Sequence, residues 1–290
     1  MWLVWTILAC IGFGVGGAMQ KHGMAAKLPK LSFGALWRDW RRILATMLRN
    51  WIWLVGVAVN LIGAAFMVLA IDAGEISVVQ PLLNVNVVLA MLIGVVALHE
   101  RLSAAEWAGA AVLMLGATLL STASGDAASV GIAAGAVKAE AIFWMSAVCV
   151  GVVVLLASSG RVTRGRITPE PFLALGAGLL FGLGTVCLKV LTLRLGEATG
   201  AWYELTWQAI GDWPLWGLIA TNLVGFVLFQ MAFSYGRVAV VSPLSTNASM
   251  VLPVVAGTAA LGEPMGWLKA AGIAVVAIGT TLLFVKPRAS

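Results

Sequence analysis

Apolar residues along this chain run in blocks of about twenty, broken by short stretches where Lys, Arg, Asp, Glu, Gly and Ser collect. A membrane-spanning helix needs about 20 mostly apolar residues. Nine stretches qualify, near residues 2–20, 51–71, 76–98, 104–121, 140–158, 171–192, 213–236, 240–261 and 267–286. Two further segments are helical in period but polar on one side. Residues 31–50 place Phe33, Leu36, Trp37, Trp40, Ile43, Leu44, Met47 and Leu48 at helical spacing, with Arg38, Arg42 and Arg49 opposite. Burying Arg38, Asp39, Arg41 and Arg42 at mid-bilayer would cost roughly 3 kcal/mol each. The segment is therefore predicted to lie on the membrane surface as an amphipathic helix, its basic face toward headgroups. Residues 197–212, with Glu197, Glu204 and Asp212 among Trp202, Tyr203 and Trp207, read as interfacial for the same reason. The first run lacks a basic n-region and a small-residue cleavage site, so it reads as a membrane helix that stays.

Composition agrees with that pattern. The chain is 61% hydrophobic and 10% charged, against about 25% charged in a soluble domain, which points to a polytopic membrane protein. Its net charge of +6 is a topological signal rather than the footprint of a nucleic-acid partner. When nine helices alternate, Lys138, Arg194 and Lys269 fall on one side, Lys189 falls near a helix end, and every other Lys and Arg falls on the opposite side. The positive-inside rule then puts the N-terminus outside and the C-terminus in the cytoplasm, in a bacterial plasma (inner) membrane. Cys10, Cys149 and Cys187 all sit in apolar runs and read as small packing residues.

The chain also repeats itself. F-G-x-G-x-x-x-x-K occurs at 13–21 and again at 181–189. Trp51, Asn60, Gly63, Gly74, Val79 and Pro81 recur as Trp213, Asn222, Gly225, Gly236, Val241 and Pro243. After one inserted residue, Glu100, Gly109 and Gly116 recur as Glu263, Gly272 and Gly279. This divides the chain into a first repeat at 1–121, a connecting region at 122–170 and a second repeat at 171–290. The connecting region holds an outer loop, an unpartnered span at 140–158 and a basic cytoplasmic loop. With five spans ahead of it, the second copy enters the membrane from the opposite side. The expected fold is all-α: nine transmembrane helices as two inverted four-helix repeats joined by a linker helix, plus interfacial amphipathic helices. Two halves rocking about a site near the midplane is the arrangement of many secondary transporters.

The stretch VVQPLLNVNVVLAMLIGVVALHERLSAAEWAGAAVLMLGATLL (78–120) resembles the proline–span–acid–span–glycine pattern of the drug/metabolite transporter superfamily, EamA-like branch, and residues 240–283 repeat it. The opening GGAMQKHG (16–23) is similar to the end of the first helix in NIPA-like magnesium transporters, which share the nine-span layout. The resemblance implies a solute carrier. It leaves the cargo open among small polar solutes or metabolites, magnesium, and the lipid carriers moved by small flippases.

Polar groups at membrane depth are costly unless used or partnered. Counting rise along each helix puts Asn60, Asn84, Asn86, Asn222 and Asn247 near mid-depth, with Gln80, Ser242, Ser245 and Thr246 closer to one end. Gln80 and Asn84 share a helical face from which Asn86 points away. Pro81 and Pro243 are predicted to kink their helices and free backbone carbonyls. The expected substrate site is drawn from Gln80, Asn84, Asn60, Ser242, Thr246, Asn247 and Asn222; inter-helix hydrogen bonding is the alternative role for Asn60 and Asn222. Lys21 and Lys189, near helix ends, either snorkel or bind substrate anions and exchange charge partners between states. Asp72 and Glu75 stand together on the outer side, where they either gather cations before entry or are simply solvated. Glu100 and Glu263 are expected to cap the helix that follows each of them, Glu100 alternatively pairing with Arg101. The pairs Gly12–Gly16 and Gly178–Gly182 are expected to allow close helix approach. No metal-ligand set and no cofactor site is evident. HERLS at 99–103 lacks the second histidine of a zinc-hydrolase motif, so the chain reads as a non-enzyme. Ion or solute, membrane lipids and a second copy in a homodimer are the partners expected.

Overall fold

The computed structural model describes residues 2–27, 33–73, 85–100, 102–125, 139–162, 169–197, 202–260 and 265–284. These form eleven helices: α1 (Trp2–Lys27), α2 (Phe33–Leu48), α3 (Trp51–Ala73), α4 (Val85–Val96), α5 (Ala104–Gly125), α6 (Ala139–Val162), α7 (Glu170–Glu197), α8 (Trp202–Gly211), α9 (Trp213–Tyr235), α10 (Val238–Ala260) and α11 (Trp267–Phe284). Six of them, α1, α3, α5, α7, α9 and α10, are long and apolar enough to cross a membrane. Shorter apolar stretches in α4, α6 and α11 occupy the other three predicted spans. The protein is an all-helical, polytopic integral membrane protein. Exposed Leu61, Val68, Val96, Val148, Leu155 and Leu223 suit helix faces that meet lipid tails rather than water.

Local signals in the sequence set the helix ends. Ser103 and Glu106 close a reciprocal box at the start of α5: the Ser103 amide donates to Glu106 Oε2 at 2.8 Å, and the Glu106 amide donates to Ser103 Oγ at 3.3 Å. Asp212 accepts from the Trp213 amide at 2.9 Å, with Pro214 in the first turn of α9. Asp212 also receives two hydrogen bonds from Arg194, at 2.7 and 2.9 Å, which tie the end of α7 to the start of α9. The predicted surface helix is α2. Its Arg38, Trp40, Arg41 and Arg42 are exposed, Ile43 and Met47 are buried in the main core, and Asp39 breaks its helical geometry.

Glycine decides which helices touch most closely. A Cβ at Gly16 would stand 2.8 Å from the Gly56 carbonyl oxygen, and one at Gly12 would stand 2.7 Å from Gly63 Cα, so α1 and α3 run backbone on backbone. In the second segment, Gly225 meets Phe181 and Ala177 of α7, while Gly182 meets Ser249 and Leu252 of α10. The two GxxxG pairs are therefore not equivalent. Gly12 and Gly16 face α3, whereas Gly178 and Gly182 face α10. The last helices of the two segments, α5 and α11, pack on each other. Gly109 meets Gly279, and Gly116 meets Gly272 and Val276. The glycines that correspond in the sequence repeat thus cross over between two antiparallel helices. The third helices, α4 and α10, also pack together.

Candidate functional site

Where α1, α3 and α4 face α7, α9 and α10, they line a partly open cavity of about 470 Å³. Its hydroxyl and amide groups come from Gln20 on α1, Asn60 on α3, Asn86 on α4, and Ser242, Ser245, Thr246 and Ser249 on α10. Phe13 of α1, Phe181 of α7, and Phe226 and Phe229 of α9 supply aromatic rings. Phe181 and Phe229 meet edge to face, with ring centres 6.1 Å apart, and Phe229 lies 4.4 Å from Phe233. Among the described lining residues none is charged.

One end of the cavity is closed by an amide network. Gln20 and Gln230, 1% and 2% exposed, form a direct bond in which Gln230 Nε2 donates to Gln20 Oε1 at 2.6 Å. The Trp53 indole donates to Gln230 Oε1 at 3.3 Å, and Gln20 Nε2 donates to the Gly56 carbonyl at 3.4 Å. One residue further along α1, Lys21 Nζ donates to the carbonyls of Phe233 and Gly236, buried acceptors at the C-terminal end of α9.

That corner between α9 and α10 gathers five ionisable side chains from five places in the chain. Glu100 accepts from the Val238 and Ala239 amides at 2.9 and 3.0 Å, the free donors that begin α10. Glu170 accepts from the Arg237 amide at 2.9 Å and lies 3.8 Å from Arg237 Nε. Arg237 forks onto both oxygens of Glu106. Burial opposes the Arg237 charge, but the Glu106 hydrogen bond and the negative charges of Glu170 and Glu100 outweigh it, so its pKa lies above the ordinary guanidinium value. Room is made by Gly236, where a Cβ would collide with Glu170, and by Gly94, where one would stand 2.6 Å from Glu100 Oε2. Apart from the Glu170–Arg237 pair, each of these bonds to a residue beyond 200 joins residues 1–121 to residues 171–290.

The structure brings three of the predicted site residues, Asn60, Ser242 and Thr246, to the cavity. Asn222 is exposed on α9, its Nδ2 donating to the Leu218 carbonyl at 2.9 Å. Asn247 is 1% exposed and stays within α10; its Nδ2 donates to the Pro243 carbonyl at 2.8 Å, and its Oδ1 has no partner among the described residues. Gln80, Pro81, Asn84, Glu75, Glu263 and Arg101 lie outside the described residues. Asp72 belongs to the last turn of α3, and Lys189 is exposed on α7. Pro243 sits in the second turn of α10, which continues past it unbroken. Glu100 caps α10 rather than the helix that follows it, because α5 already has Ser103 and Glu106 while the α10 amides have no local acceptor. Asn86, placed by periodicity off the face shared by Gln80 and Asn84, lines the cavity. Sequence reasoning missed Gln20, Gln230 and the four rings. The two glutamines carried a usable signal, an amide within an apolar run; the phenylalanines carried none.

No family model matches the chain, and no solved structure matches it. One curated protein is similar over nearly the whole length. It is a protein of Arabidopsis thaliana described as probable magnesium transporter NIPA9, 25% identical over 312 residues that cover 98% of this chain and 81% of that protein. The aligned region takes in the cavity, the amide network and the charged corner alike.

Proposed function

We propose that this chain is a secondary carrier that moves a small polar solute across the membrane by alternating access between two inverted halves. The observation that carries the reading is the cavity between residues 1–121 and 171–290, closed at one end by bonds that cross from one half to the other. The crossed glycines of α5 and α11 support an inverted repeat, because residues related by a two-fold meet each other's counterparts. With nine spans and the N-terminus outside, the charged corner lies on the cytoplasmic side. The structure then corresponds to a state sealed toward the cytoplasm. Opening separates Lys21, Glu100 and Glu106 from the α9–α10 corner and parts Gln20 from Gln230. Water entering there rehydrates the charges, which offsets much of the lost pairing. The description of the similar Arabidopsis protein as a probable magnesium transporter supports a transport role.

A second reading, magnesium transport, is favoured by that relative. Mg²⁺ dehydrates reluctantly and keeps several waters, so the neutral oxygens of Asn60, Asn86 and Thr246 would hold it through its hydration shell. Among the described residues no three His, Cys, Asp or Glu side chains are arranged to hold a bare ion.

Purified protein in liposomes separates the readings. A carrier is expected to show saturable counterflow of a solute found by thermal-shift screening, reduced at least about tenfold by Asn86→Ala combined with Thr246→Ala. Flux that rises linearly without saturation would defeat the carrier reading. With an internal fluorescent Mg²⁺ indicator, silence across a millimolar gradient would eliminate the second.

A further inference from the structure

We infer that the cavity takes an uncharged organic solute with an amide- or hydroxyl-bearing end and an apolar, ring-bearing body. This rests on reading the cavity as the carrier's site and narrows its cargo. Lys21, Glu100, Glu106, Glu170 and Arg237 all bond within the closed corner, and no described lining residue bears a charge. A carboxylate, phosphate or ammonium brought into such a lining would lose water with no ion to replace it.

Hydrogen-bonding capacity is nonetheless present. The side chains of Asn60, Asn86, Ser242 and Thr246 line the cavity, and none of them bonds another described side chain or backbone group. Each amide offers two donors and an acceptor, and each hydroxyl offers both roles. These groups match a solute that gives and accepts neutral hydrogen bonds. The rings of Phe13, Phe181, Phe226 and Phe229 offer faces and edges for an apolar body to stack against. Size points the same way. Six waters around a magnesium ion need roughly 180 Å³ at about 30 Å³ each, well under half of the roughly 470 Å³ present, and such an ion makes no use of phenyl rings.

The test uses matched probes on the purified full chain in detergent. Phenyl β-glucoside is compared with phenyl β-glucuronide, adenosine with AMP, and benzyltrimethylammonium and MgCl₂ are run beside them. Thermal shift and tryptophan quenching report binding. At least one uncharged probe is expected to bind at least about a hundredfold more tightly than its charged counterpart. Phe229→Ala and Asn86→Ala should each weaken it by at least about tenfold. Isosteric Asn86→Asp, which places a carboxylate in the cavity without changing its shape, should weaken the neutral probe and improve benzyltrimethylammonium. Equal or tighter binding of the charged probes, stabilisation by MgCl₂ alone, or no response to either uncharged probe would overturn the inference. Counterflow of the same probe in liposomes keeps the two claims apart. Binding without flux preserves the ligand class and removes the carrier reading; saturable counterflow of a different polar solute without probe binding does the reverse. Mg²⁺ flux without probe binding overturns both in favour of magnesium transport.

Discussion

Arg237 is the residue on which the closed corner turns. Its side chain is 37% exposed, while that of Glu106 is 3% exposed, so the pair is half in and half out of the protein interior. Replacing Glu106 with Gln takes from the guanidinium its forked carboxylate partner, with Glu170 still beside it. Losing one partner of a fully buried pair costs about 3–5 kcal/mol, and the exposure of Arg237 brings this down to roughly 1–3 kcal/mol. A lowered melting temperature in detergent, with Glu106→Asp closer to the parent, is the expected result. The glutamines respond differently. Gln20→Leu and Gln230→Leu should each cost roughly 1–3 kcal/mol by leaving a buried amide unmatched. The double variant should cost less than the sum of the two, as a double-mutant cycle on melting would reveal. At this scale the sequence was only partly legible. Depth along a helix found Asn60 and Thr246. It could not say which way Asn222 faces, because α9 is apolar all round and offers no stripe to orient it. Nor could it foresee that Glu100 caps a helix more than a hundred positions away, since a capping acceptor is chosen by three-dimensional proximity.

Among the elements, close packing rests on absent side chains. A Cβ at Gly116 would stand 2.7 Å from Val276 Cγ2 and 2.9 Å from the Val276 amide nitrogen. Gly116→Leu should therefore push α5 off α11, costing roughly 1–3 kcal/mol or more. Gly151, where a methyl group would meet nothing within 4 Å, is the control: Gly151→Ala should leave stability unchanged or raise it slightly. Cellular yield and melting temperature of the two variants make the comparison. Element positions were legible because a bilayer fixes helix length. Helix ends were less so: α1 continues to Lys27 and α7 to Glu197, past the predicted ends, because helices need not stop at the edge of the hydrocarbon core. That α2 is a helix was readable from its apolar spacing with arginines opposite.

For the whole molecule, the recurring glycines and asparagines led to the two-repeat expectation, while the partnership of α5 with α11 was not legible, because the two stretches spell the same apolar pattern. The cavity, too, was invisible as a shape. If the halves rock, fixing the closed end must stop transport. Gln20→Cys and Gln230→Cys, joined by a short bifunctional thiol reagent, should abolish counterflow while leaving probe binding measurable; unchanged counterflow in cross-linked protein would mean that this end never opens. The native cysteines are all buried, which favours selective reaction at the introduced pair. The α5–α11 crossing also bears on synthesis. While the ribosome is still making residues 126–266, α5 has been inserted without the helix its glycine face fits. At about 5–20 residues per second that interval is on the order of ten seconds. A chain cut short before α11 would leave that glycine face of α5 without the helix it fits.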